Sequence, residues 1–240
     1  MPEPMRDVVE PFLRSADDAA GGPYAAVLYG SLARGEYLPG RSDINLLVIL
    51  PEIWPRLLDG LRSGLRAWHG HGFPPPLLFT GEEWARAHDV YQLELADILV
   101  AYRVLRGSDP VAGTRLQPEL LRRSLERELR GKVLRLRQAY GTAAGEPGTL
   151  GATATASAGT MLVMLRGVLS MHGLPVPPTT PGLLEAVATR LGLDVAPVGA
   201  VAAHRPDRRW ECPAPEFLSY LAAVTAVADH VDRFDTGGPR

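Results

Sequence analysis

Along the first half of the chain the apolar positions change period several times, and each change marks an element. Val8, Val9, Phe12 and Leu13 fall at helical spacing, predicting a helix over 5–20 that stops at Gly21-Gly22-Pro23. Ala25-Ala26-Val27-Leu28-Tyr29 is a short, unbroken apolar run between glycines and reads as a strand. Gly30-Ser31 ends it. Ser31–Arg34 suits a short helix, and Gly35, Pro39 and Gly40 turn the chain back. A second strand opens at Asp43 and runs to Leu50. Over 51–68 the apolar positions Ile53, Leu57, Leu58, Leu61 and Leu65 return to helical spacing, with Arg56, Arg62 and Arg66 facing out. Residues 76–80 form a third strand, and Thr80 caps a helix whose first turn carries Glu82 and Glu83. Helical spacing is expected from 84 to 105, although 93–98 also reads as a strand. Residues 106–110, with Gly107 and Pro110, are a stop.

Beyond residue 112 only helical spacing is found. Leu121, Leu125, Leu129, Val133, Leu136 and Tyr140 form one stripe over 118–141. Further helices are expected over 152–172, 180–191 and 215–234, with 197–212 irregular and the tail 235–240 frayed. This gives an α+β domain over 1–112 followed by a helical bundle over 113–240.

Composition narrows the setting. The chain has 240 residues, 46% hydrophobic and 22% charged, with a net charge of −2, as expected of a globular protein. No apolar run reaches the ~20 residues that span a bilayer, and the N-terminus lacks an apolar signal core, so no membrane partner is expected. The single cysteine, Cys212, excludes an internal disulfide framework and suits a reducing cytoplasm. The near-neutral charge argues against broad nucleic-acid binding.

The chemistry concentrates between Tyr24 and Leu50. A strand that ends in Gly-Ser at a helix start offers backbone N–H groups to a phosphate. On the second strand the side chains of residues 43 and 45 share one face, because the strand period is two. Tyr29-Gly30-Ser31, then eleven residues, then Asp43-Ile44-Asn45-Leu46 resembles the signature of the DNA polymerase β-like nucleotidyltransferase superfamily, in its small-molecule and aminoglycoside-type branch. The motif covers roughly a tenth of the chain. The resemblance implies a nucleotidyltransferase-fold domain with a mixed sheet, and a helical domain on the substrate side. It implies a nucleoside triphosphate, ATP foremost, with Mg2+, and a small hydroxylated acceptor; pairing of two chains stays open. It assigns Gly30, Ser31, Arg34 and Ser42 to the nucleotide, Asp43 and Asn45 to the metal, and Asp43 and Glu94 to catalysis, Glu94 as the base. The family's second motif acid is replaced by Asn45, which lacks the charge a magnesium ion prefers. The alternative is a noncatalytic binding or regulatory module, such as a toxin–antitoxin-type partner, on the same fold.

Other features have plain readings. Arg34 suits a helix start as well as a phosphate. Arg123, Arg127, Arg130 and Arg137 lie along one helical stretch with Glu119, Glu126 and Glu128, as on a solvated face. His69 and His71 lack nearby ligands for a metal site. Trp210, with Arg208 and Arg209, is expected to pack on the bundle rather than on a ligand.

Overall fold

The computed structural model describes residues 4–143, 145–207 and 209–234. The chain divides into two compact units, one of residues up to 88 with 101–114, the other of 89–100 with 115 onward. The tail 235–240 and Arg208 lie outside the described residues.

In the first unit a π-helical turn, Met5–Val9, leads into α1, Glu10–Ala19. Then come β1 (Ala25–Tyr29), α2 (Ser31–Arg34), β2 (Asn45–Leu50), α3 (Pro55–Gly70), β3 (Leu77–Thr80), α4 (Gly81–Ala87) and β4 (Tyr102–Arg106). The sheet has the order β3-β2-β1-β4; β1 runs antiparallel to β2 and β4, and β2 parallel to β3. It is a mixed sheet, as expected. One face, with Ala26, Leu28, Leu46 and Val48, packs on α1 and α3 around Phe12, Leu13, Leu61 and Trp68, all buried. The Phe12 and Trp68 rings meet edge-on at 5.6 Å, and Trp68 Nε1 donates to the Pro74 carbonyl at 2.7 Å. Gly64 lets α1 and α3 approach this closely: a Cβ there would stand 3.0 Å from Phe12 Cα. Edge strand β4 is anchored through Arg106, which donates to the Asp17 carboxylate at 3.1 Å, while the Tyr24 hydroxyl donates to the same group at 2.6 Å.

The second unit is helical: α5 (Gln92–Val100), α6 (Pro118–Thr142), α7 (Pro147–Met171), α8 (Thr180–Leu191), α9 (Ala196–Ala203) and α10 (Ala214–Arg233). Its core gathers Leu121, Leu125 and Leu129 of α6, Leu162, Leu165 and Leu169 of α7, and Phe217 and Tyr220 of α10. α7 is long and apolar enough to cross a bilayer, but 61% of its most apolar window is buried within the protein.

Several expectations are corrected. The stretch 84–105 is not one helix: α4 and α5 are separate, and Tyr102–Arg106 is a fourth strand. Residues 93–98 are helix, not sheet. The segment 197–212 contains most of α9, and Leu58 of the expected apolar stripe is 42% exposed. The second strand begins at Asn45 rather than Asp43.

Candidate active site

The turn after β1 depends on one residue. Gly30 has φ 79° and ψ −153°, a backbone region that only glycine occupies without strain. It caps α2, whose single turn is closed by the Arg34 N–H donating to the Gly30 carbonyl at 3.1 Å. The first N–H groups of any helix lack partners within the helix, so the turn directs donors outward at Ser31. Gly35, at φ 79°, ends α2 with its N–H on the Ser31 carbonyl.

The return loop delivers Asp43. Ser42 is buried, and its Oγ accepts the Leu38 N–H at 3.1 Å while its own N–H donates to the Leu38 carbonyl at 2.8 Å. The Ser42 hydroxyl is thus engaged in closing the loop. Next, Ile44 is buried in the core with Leu46 and Val48. By alternation Asp43 and Asn45 take the opposite face; Asp43 is exposed and Asn45 half-buried. Asn45 stands directly across from Tyr29, the residue before Gly30, so the head of β2 and the Gly30–Ser31 turn lie at one end of the sheet. Arg34 is turned inward: its side chain is 4% exposed, with Nε 3.9 Å from the Glu36 carboxylate.

The charge content of this end is sparse. None of the four strands contains an Asp or Glu, so Asp43 is the one carboxylate the Asp43–Asn45 pair supplies. Within this unit, no three His, Cys, Asp or Glu side chains among the described residues form a metal-holding group. One carboxylate and one amide oxygen fit a single divalent cation that also takes triphosphate oxygens. They do not fit a resident pair of cations, which needs bridging carboxylates.

Glu94 lies in the first turn of α5, in the helical unit, so it is not an acid on a neighbouring strand. It is half-buried; burial raises its carboxyl above the usual range, and Glu128 and Asp97 act in the same direction against Arg127. The arginines of α6 are largely committed to ion pairs. Arg123 meets Glu119 at 2.9 Å, Arg127 meets Glu128 at 3.9 Å, and Arg130 holds Asp229 and Asp232 of α10 at 3.0 and 2.9 Å. Trp210 stacks on His204 at 4.2 Å and packs against the bundle core. His71 stacks on Phe73 at 6.3 Å. Tyr102 falls within the helix expected over 84–105; β4 instead sets it across from Tyr29.

Known proteins resemble this chain in its first unit and in its fold. The model of the nucleotidyltransferase domain family matches residues 10–101, which include the Gly30–Ser31 turn and the head of β2. The matched stretch covers most of the first unit, and a helical region follows it. Among solved structures it is similar to spectinomycin adenyltransferase AAD(9) from Enterococcus faecialis, crystallised with ATP and spectinomycin. The similarity has a TM-score of 0.58 at 10% identity and covers 95% of this chain and 99% of that one, a likeness of fold. No curated protein matches the chain in sequence.

Proposed function

We propose that this protein transfers a nucleotidyl group from a nucleoside triphosphate, ATP foremost, to a hydroxyl of a small acceptor. The observation that carries the reading is the Gly30 turn, in a glycine-only conformation, set at the same sheet end as Asp43 and Asn45 within a matched nucleotidyltransferase domain. The outer phosphates rest on the N–H groups at Gly30 and Ser31. Arg34, paired with Glu36 beneath α2, steadies the turn, and Ser42 holds the loop that presents Asp43.

Asp43, with Asn45 as a weaker neutral ligand, would hold one Mg2+, whose chemistry is to offset negative charge on the phosphates. In the transfer a base takes the acceptor's hydroxyl proton, the acceptor oxygen bonds to the α-phosphorus, and the bond to the β-phosphate breaks to release pyrophosphate; the family resemblance gives the base's role to Glu94. A carboxyl raised by burial suits this role, since a base works best near the operating pH. The spectinomycin and ATP bound by AAD(9) make aminocyclitols the first acceptors to try. In this reading the unit of residues up to 88 with 101–114 binds the nucleotide and the unit of 89–100 with 115 onward is the helical domain, in a cytoplasmic protein.

A second reading is favoured by Asn45 and the acid-free strands: a nucleotide-binding module without turnover. Thermal shift with ATP and Mg2+, paired with pyrophosphate release over a panel of hydroxylated acceptors, separates the two. A shift with pyrophosphate supports transfer. A shift without it for any acceptor supports the second reading, and no shift at millimolar ATP defeats both.

A further inference from the structure

The helical unit buries a lysine among hydroxyl groups. Lys132 of α6 is 5% exposed, and among the described residues it hydrogen-bonds only to neutral oxygens of α7. Its Nζ lies 2.6 Å from Thr160 Oγ1, 3.1 Å from Ser157 Oγ and 3.1 Å from the Ser157 carbonyl oxygen. Ser157 Oγ also meets the hydroxyl of the fully buried Tyr220 of α10 at 2.9 Å. Burial pushes that phenol up to about 12, against its bond with Ser157, so it keeps its proton and can donate it. Counting protons favours an uncharged amine. As an ammonium, Lys132 donates to all three oxygens, and one hydroxyl proton of the Ser157–Tyr220 pair then has no acceptor among the described residues. As a neutral amine it accepts the Ser157 proton, Tyr220 donates to Ser157 Oγ, and the two remaining N–H groups go to Thr160 Oγ1 and the Ser157 carbonyl. Burial, helped by Arg135 and opposed by Glu128, lowers Lys132 to about 8.

We infer that Ser157 is an activated nucleophile toward small activated esters, with Lys132 as its base and Tyr220 as the donor that holds its oxygen. A nucleophile within hydrogen-bond reach of a base that a third group orients is the arrangement such chemistry needs. Here Lys132 is the base, and Thr160 Oγ1 with the Ser157 carbonyl orients it. Ser157 sits at the edge of the core rather than inside it. It is half-buried; Ala154, Ala158 and Met161 of the same helix are buried, while Ala156 and Thr160 are exposed. In the reaction Ser157 Oγ gives its proton to Lys132 Nζ and bonds to the ester carbonyl carbon. The bond from that carbon to the leaving oxygen breaks, and the leaving alcohol takes the proton from Lys132. Water, deprotonated by Lys132, then releases the acyl group as a carboxylic acid, and the proton returns to Ser157. All four residues belong to the helical unit, so the inference stands apart from the nucleotide reading.

The test treats the full chain with p-nitrophenyl acetate, follows nitrophenolate release, and locates the acetyl group by peptide mass spectrometry. The expected result is acetylation of Ser157, at a rate that climbs with pH through about 8 and then levels off as Lys132 loses its proton. A positioned base is worth about 100-fold or more, so Lys132→Met should acetylate Ser157 about 100-fold more slowly. Ser157→Ala should lose that adduct and keep its parent's melting temperature. Should Lys132→Met fail to fold, the pH profile of the parent decides. A rate at Ser157 that keeps rising in proportion to hydroxide, with no plateau above 8, overturns the inference. So does the absence of a Ser157 adduct, which is what a purely structural cluster would give, or an undiminished rate in folded Lys132→Met.

Discussion

Replacing Asn45 with aspartate tests the electrostatics of the sheet end directly. Asp43 lies two residues before the first residue of β2, Asn45, and a near-extended link would set their Cα atoms about 7 Å apart. Two carboxylates roughly 6 Å apart repel by about 3 kcal/mol at an effective dielectric of 20. Asp43 is exposed and Asn45 half-buried, so solvent screening reduces this to about 1 kcal/mol. For a chain of this size that lowers the melting temperature by about 2–4 °C in chelator. With Mg2+ and nucleotide present the sign reverses, because the cation gains a charged oxygen ligand in place of an amide. A gain of about 1.4 kcal/mol is tenfold in affinity, the least that a new charged ligand should give. The assay is calorimetric titration of Mg2+ into parent and Asn45→Asp with a nonhydrolysable ATP analogue, beside melting curves in chelator and in Mg2+. Equal Mg2+ affinities would refute the reasoning, since residue 45 would then not face the cation.

Three further outcomes follow from local geometry. Gly30→Ala forces a side chain into a glycine-only conformation and should cost about 1–3 kcal/mol, read as a lower chemical-denaturation midpoint. Lys132 is buried, donates to the Ser157 carbonyl, Ser157 Oγ and Thr160 Oγ1, and is lowered to about 8, chiefly by burial and then by Arg135. The unfolded chain therefore binds the extra proton between pH 8 and 10.5, so stability should rise with pH across that window, by up to about 3 kcal/mol. Lys132→Met should remove this slope when denaturation is compared at both ends of the window. His172 and His230 meet through their Nε2 atoms at 2.8 Å; burial lowers both, with His230 acting further on His172 and Arg233 on His230. Their folded values lie below the unfolded 6.5, so their neutral forms favour the folded state, and stability is lost as pH falls below 6.5. His230→Asn should flatten that acid limb of the melting-temperature profile.

The parts of the fold that were legible are those where local pattern and tertiary role agree. β1 and β2 are unbroken apolar runs bounded by glycine and polar residues, and alternation alone puts Asp43 and Asn45 on one face. β4 was hidden because it follows α5 with a single residue between, and Arg103 and Val104 on this edge strand face solvent. α9, APVGAVAA, is nearly uniform around its circumference, so helical periodicity had nothing to register. Leu58 fell in the apolar stripe of α3, but the helix buries a narrower face through Leu57, Leu61 and Trp68. At the candidate site, the Gly-Ser turn was visible in sequence. The engagement of Ser42 with Leu38 and the register that sets Tyr29 across from both Asn45 and Tyr102 were not, because both exist only once distant backbone segments are paired.

The central claim is nucleotidyl transfer directed by the Gly30–Ser31 turn and Asp43. It is tested most directly by incubating the protein with ATP, Mg2+ and spectinomycin or a related hydroxylated acceptor, with mass spectrometry of the acceptor. The account predicts an adenylylated acceptor and matching pyrophosphate, both lost in Asp43→Asn while that variant keeps its parent's fold. An acceptor left unmodified across the panel by protein that demonstrably binds ATP, or turnover that survives Asp43→Asn, would contradict it.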